Sequence, residues 1–126
     1  MKMIKVTIGK REFSLAFTMD ALDRIEGVIP DFDLAKISQY AKRSGFMVDI
    51  LYAMAQQGEL LEGRKLDVDR AWFGSHIPAS PKKIAEIQVA VFNAMTDAMK
   101  MESETEEAGE VDVVLEEIKK KETREN

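Results

Sequence analysis

The sequence contains no cysteine. A disulfide framework and a thiolate metal site are both excluded. It holds a single histidine, His76, so no cluster of imidazoles can hold a metal, and a Ser-His-Asp arrangement would depend on that one ring. No apolar run approaches the ~20 residues that a helix needs to cross a bilayer. The opening positions alternate charged and apolar residues and do not read as a secretory leader. A concentrated basic face is missing too. Residues 102–126 hold ten acids and four bases, and residues 1–101 hold thirteen acids and fourteen bases, so a nearly neutral body carries an acidic tail within a net charge of −5. That distribution disfavours the phosphate backbone of nucleic acid, including for a helix-turn-helix pattern over residues 34–58. Gly9-Lys10 and Gly63-Arg64-Lys65 are too short to cradle a phosphate. Asp67 and Asp69 lack the further ligands and the glycine of a calcium loop and read as helix caps. No catalytic residue, cofactor, metal or small-molecule substrate is expected.

What is present begins with a hairpin. Gly9-Lys10 suits a two-residue type II′ turn, since glycine accepts a positive φ at the first position. Ile8 then faces Arg11, Val6 faces Phe13, Ile4 faces Leu15 and Lys2 faces Phe17. One face of the hairpin (about 3–8 and 11–17) carries Ile4, Val6, Ile8, Phe13, Leu15 and Phe17, and the other carries Met3, Lys5, Thr7, Glu12, Ser14 and Ala16. A slip of one residue would destroy that segregation. A lone two-stranded hairpin is marginal, so helices or a partner must cover its apolar face.

Five helices are expected behind it. The first runs from Met19 to Glu26, capped by Thr18 and stopped by Gly27. Asp33 opens a second over Leu34 to Arg43, ended by Ser44-Gly45. The third, from Phe46 to about Gly58 or a little beyond, is apolar almost all round and should be the most buried. Asp67 caps a short fourth helix over Val68 to Gly74, which carries Trp72 and Phe73. Ser80-Pro81 starts the fifth and longest, ending near Met101. Its main stripe is Ile84, Ile87, Val91, Ala94, Met95 and Ala98. Val89 and Phe92 sit off that stripe, so the apolar arc is wider than one neighbouring helix needs. Lys82-Lys83 in its first turn read as an ordinary solvated pair. The fold class is thus α+β, mostly α: a hairpin-plus-helix domain over 1–101, then a flexible acidic tail over 102–126 with an amphipathic segment at 111–121. In that segment Val111, Val114, Leu115 and Ile118 fall at i, i+3, i+4 and i+7.

Several residues suit contact with a partner. Flexible thioethers adapt to imperfect surfaces. Met47 and Met54 read as core, whereas Met95, Met99 and Met101, late in the fifth helix, are candidate contacts together with Phe92. Trp72 and Phe73 are either a plug fixing the fourth helix or an interface anchor. Val111, Val114, Leu115 and Ile118 form either an internal latch or a docking peptide.

The run from Ile4 to Gly27, IKVTIGKREFSLAFTMDALDRIEG, resembles the opening of tail assembly chaperones of long-tailed bacteriophages and prophages. That opening has a short hairpin ending in an aromatic residue or leucine, then a threonine, then an Ala-Leu-containing helix with acids. The helical body, with a last helix after a Ser-Pro break, is similar as well, so the resemblance covers about residues 3–101. It implies a non-enzymatic protein of the host bacterial cytoplasm that binds and solubilises the tape-measure protein, helps recruit tail-tube subunits, and is absent from the mature virion. The chain would correspond to the short, non-frameshifted form. A homo-oligomer is compatible with this role, and neither nucleic acid nor membrane is an implied partner. The alternative is a structural or adaptor component of the tail or the head-tail connection.

Overall fold

The computed structural model describes residues 3–106, with side chains placed up to residue 100. Strands β1 (Ile4–Ile8) and β2 (Arg11–Leu15) pair antiparallel. Their register is Ile4 with Leu15, Lys5 with Ser14, Val6 with Phe13, Thr7 with Glu12 and Ile8 with Arg11, as the apolar segregation requires. Gly9 takes φ 64° while Lys10 keeps a negative φ, which suits a type II′ turn and not a type I′ turn. Val6, Ile8, Phe13 and Leu15 are buried on one face.

Five helices follow: α1 (Met19–Val28), α2 (Ile37–Tyr40) entered through a 3-10 turn at Leu34–Lys36, α3 (Ser44–Leu61), α4 (Arg70–His76) and α5 (Pro81–Glu106). The protein is therefore α+β and mostly α. Thr18 caps α1, its side chain accepting from the Ala21 N–H at 3.1 Å, and its hydroxyl donates to Gln57 Oε1 at 2.9 Å, tying α1 to α3. Gly27 does not stop α1. Its φ is not positive, and the helix runs on to Val28 before Pro30 prevents continuation. The second helix is much shorter than its apolar spacing suggests. Asp33 does cap it, accepting from Ala35 N–H at 3.0 Å, but Leu34 stays exposed, leaving Ile37 and Ala41 as the buried positions. Ser44 and Gly45 begin α3 instead of ending α2.

Helix α3 is the centre of the molecule. It packs on β2, α1, α4 and α5, and both charged and apolar positions near its end are buried. Gly58 is the point of closest approach to the hairpin, where a Cβ would lie 2.0 Å from the Ser14 carbonyl oxygen. The contact continues along the outer edge of β2. Ser14 N–H donates to Glu59 Oε2 at 2.9 Å, Ser14 Oγ donates to Glu62 Oε1 at 2.8 Å, and Ala16 N–H donates to the Met54 carbonyl at 3.1 Å. The nominally polar face of β2 is thus covered at Ser14, which is buried, while Glu12 on the same face stays exposed. On the other edge, the Lys83 ammonium donates to the Thr7 carbonyl, while Lys5 faces solvent and pairs with Glu12 at 3.6 Å. Lys83 is therefore half-buried structure and not a free solvated charge.

Glu59 is the polar latch between hairpin and helix. Arg64 donates Nε and Nη2 to its two oxygens at 3.1 and 3.0 Å. The Arg64 hydrogen bonds hold its carboxyl below the ordinary carboxylate range, against the opposing effect of burial and with help from the Ser14 N–H. A carboxyl whose pKa is lowered by folding contributes stability that is present above its unfolded pKa and is lost as pH falls through the folded value. Thermal melts between pH 7 and pH 3 should therefore show a steeper acid-side loss of Tm in the wild type than in Glu59→Gln. At neutral pH Glu59→Ala should cost about 2–3 kcal/mol, because the Ser14 N–H is left buried without its charged acceptor. Parallel acid-side curves would assign the acid sensitivity to other groups.

Candidate functional site

Helix α5 starts where the sequence says it must. Pro81 occupies the first helical position, and Ser80 Oγ accepts from the Lys83 N–H at 3.2 Å. Ile87, Val91 and Ala94 are buried against the hairpin and α3, with Ala90 beside them, and Ile84, Met95 and Ala98 are half-buried. The inward stripe is the one its spacing predicts. The end is not. Residues 102–106 extend the helix instead of opening a linker, since glutamate is a good helix former and adding a residue to an existing helix is far easier than nucleating one.

The opposite side of α5 carries a second line of residues: Ala85, Val89, Phe92, Thr96 and Met99, at alternating steps of four and three. All are exposed, with Val89 at 57%, Phe92 at 38% and Met99 at 66%. The Thr96 hydroxyl is turned back onto the Phe92 carbonyl at 2.9 Å, so the hydroxyl is already bonded to its own helix. Of the other large exposed apolar side chains, Met19 and Val28 sit at the two ends of α1, Leu34 opens the 3-10 turn, and Leu60 and Leu61 are adjacent at the end of α3. Among the described residues it is along α5 that exposed apolar side chains recur over several turns as a seam, a surface property that marks interaction sites. Ala85 and Thr96 were not among the residues singled out above, and Val89 was noted only as sitting off the main stripe. The step pattern that joins them to Phe92 and Met99 is legible in the sequence, but it competes there with the stronger inward stripe.

Trp72 and Phe73 lie elsewhere, on α4. Asp69, and not Asp67, caps that helix, accepting from the Trp72 N–H at 2.9 Å. Asp67 is engaged by Arg11 at 2.6 Å, and this hydrogen bond keeps its carboxyl below the ordinary range. Phe73 is completely buried, with its ring 5.0 Å from Phe13 and 5.7 Å from Tyr52. It is core, and a partner cannot reach it. Trp72 is half-buried, edge-on to Phe13 at 5.5 Å and beneath the Arg11 guanidinium at 5.6 Å. His76 is the last residue of α4. Its ring stacks on Trp72 at 4.2 Å, and its Nδ1 lies 2.8 Å from the Trp72 carbonyl. A carbonyl only accepts, so Nδ1 carries the proton there. This cluster is a plug that fixes α4 to the hairpin.

The expected contact residues are therefore split. Phe92 and Met99 stand on the exposed seam, Met95 turns toward the core, and Trp72 sits on a different element with its faces engaged. The Met101 side chain and Val111, Val114, Leu115 and Ile118 lie outside the described residues. Among the described residues, the clefts are shallow. One of about 380 Å³ lies beside Arg24, Tyr52, Asp49 and Arg70, and its central charges neutralise each other at 2.9 Å. No three His, Cys, Asp or Glu side chains converge to hold a metal ion among those residues, and no helix there is long and apolar enough to cross a membrane. Comparisons with family models, with curated proteins and with solved structures gave no match.

Proposed function

We propose that the chain is a tail assembly chaperone of a long-tailed bacteriophage or prophage, working by stoichiometric binding and without a chemical step. In this reading it holds the tape-measure protein soluble in the host bacterial cytoplasm, helps recruit tail-tube subunits, and leaves before the virion is complete. The observation that carries the reading is the outward seam of α5. A long apolar helical client needs a straight, adaptable apolar face, and Val89, Phe92 and Met99 offer one along about three helical turns. The near-neutral body and acidic tail suit a coat that keeps the covered client from clumping. The likeness of residues 3–101 to such chaperones gives the seam a client class.

Co-expression tests this directly. The tape-measure protein encoded beside this chain should be recovered soluble and co-purify with it. Met99→Ser should lower that recovery several-fold while shifting Tm by little, since a two-thirds exposed side chain contributes little to folding. Unchanged client solubility together with no co-purification would sink the reading.

A further inference from the structure

We propose that the α5 seam also pairs with the same seam of a second copy of this chain, antiparallel and centred on Phe92. This goes beyond the chaperone reading and stands whatever the client is.

Three observations carry it. The first is the step pattern. Residues 85, 89, 92, 96 and 99 follow the alternating four-three spacing that two helices use when they pack side by side, and at ~1.5 Å per residue the seam is ~21 Å long. The hairpin and α3 occupy the opposite side of α5, which leaves the seam open to a straight partner.

The second is charge. Glu86, Asn93 and Lys100 flank the seam on one side, one heptad apart. Around a two-fold axis at Phe92 an antiparallel partner lays this flank against its own copy in reverse order. Glu86 then faces Lys100 of the second copy, Lys100 faces its Glu86, and Asn93 faces Asn93. A parallel pair brings neither of these opposite charges together. Glu86 is half-exposed, and its one ion pair among the described residues is with Lys83 on its own helix at 3.2 Å, so an oxygen is left to meet the second copy. In the seam itself, Phe92 meets Phe92 at the centre, Val89 meets the similarly sized Thr96, and the small Ala85 leaves room for Met99.

The third observation disfavours the chain's own acidic segment as the cover. If residues 111–118 returned along α5 as a helix after a tight turn, Ile118 would come beside Met99. Val111, Val114 and Leu115 would lie beside residues 102–106, past the end of the seam, leaving Val89 and Phe92 bare. That return would also set the acids at 110, 112, 116 and 117 against those at 102, 104 and 106.

A seam of four turns makes a small interface, at the weak end of specific association. The pair is thus a reversible one that a client helix displaces by competition for the same face.

The full chain tests this by sedimentation equilibrium. Its apparent mass should rise from one chain toward two as concentration increases about a hundredfold, by mass action. Phe92→Glu should hold it at one chain with Tm nearly unchanged. Glu86→Lys and Lys100→Glu, which keep the seam intact if the first variant folds poorly, should each weaken pairing about tenfold, and the double reversal should restore it. Because the chain has no cysteine, Asn93→Cys under mild oxidation should give a covalent dimer, whereas Glu86→Cys alone should not and an equal mixture with Lys100→Cys should. A single-chain mass at every concentration, a dimer indifferent to Phe92→Glu, or a double reversal no better than the single ones would overturn the proposal. So would Ile118→Asp releasing dimers from a wild type that is otherwise single, which would make the tail the occupant. Client recovery is scored in its own assay on the wild-type chain, so a chain that never pairs yet still keeps its client soluble overturns this proposal alone, and one that pairs but recovers no client overturns the chaperone reading alone.

Discussion

Gly58→Ala should destabilise the protein by at least about 3 kcal/mol, beyond the ordinary cost of overpacking a core. In a domain of this size that lowers Tm by more than about 10 °C. The added Cβ would sit 2.0 Å from the Ser14 carbonyl oxygen, 2.3 Å from its carbon and 2.6 Å from the Leu15 nitrogen. These are backbone atoms, which cannot swing aside. Helix α3 must retreat from β2, and the same retreat lengthens the bonds from Ser14 N–H to Glu59 and from Ala16 N–H to Met54. Intrinsic helix propensity works in the other direction, favouring alanine by about 1 kcal/mol, so the sign of the result decides between the two effects. Gly27→Ala is the matched control. It too is helical, but a Cβ there meets nothing within 4 Å, and it should stabilise by about 0.5–1 kcal/mol. Urea melts of the two variants check both figures. Equal behaviour at the two sites would mean that the hairpin does not press on α3.

Phe73→Ala should cost about 3–5 kcal/mol, as for other buried aromatic truncations. The ring joins Phe13 of the hairpin, Tyr52 of α3 and Trp72 of its own helix, so its loss opens a cavity where three elements meet. Trp72→Ala should cost less, because that ring is half-exposed. The measurement is a melt run beside the client-recovery assay. Phe73→Ala should lose client only in proportion to lost folded protein, unlike Met99→Ser. A Phe73→Ala chain that melts normally yet fails to bind would put the aromatic pair back on the interaction surface.

The parts of the fold that were legible in the sequence are those set by local rules. The hairpin register followed from period-two segregation about Gly9-Lys10, and Thr18, Asp33 and Ser80 cap helices as their types require. The extension of α5 past residue 101 is a matter of local propensity, but three of the other misses share one physical origin, a contact from far along the chain that no local signal carries. Asp67 is as good a cap as Asp69, but Arg11, remote in sequence, claims it. Gly58 looked like a helix end because glycine usually is one. Its real role is to let Ser14 approach, and that partner lies forty-four residues earlier. Glu59 carried no pattern at all, since its buried role needs both Arg64 and the Ser14 amide. On the candidate surface, the width of the apolar arc on the last helix was readable from spacing, and Phe92 and Met99 with it. The stronger stripe faces inward as its spacing predicts, with Ile87 and Val91 buried, and only the packed fold shows that the second stripe is left exposed among the described residues.

One consequence follows from how the two rims of the small sheet are treated. Helix α3 takes up the outer amides of β2 at Ser14 and Ala16, and on β1 a lysine ammonium occupies the Thr7 carbonyl while Lys5 keeps a charge in solvent. Both rims are thus guarded against strand addition at these positions, which lowers the risk of cross-β growth when copies of the protein are crowded together.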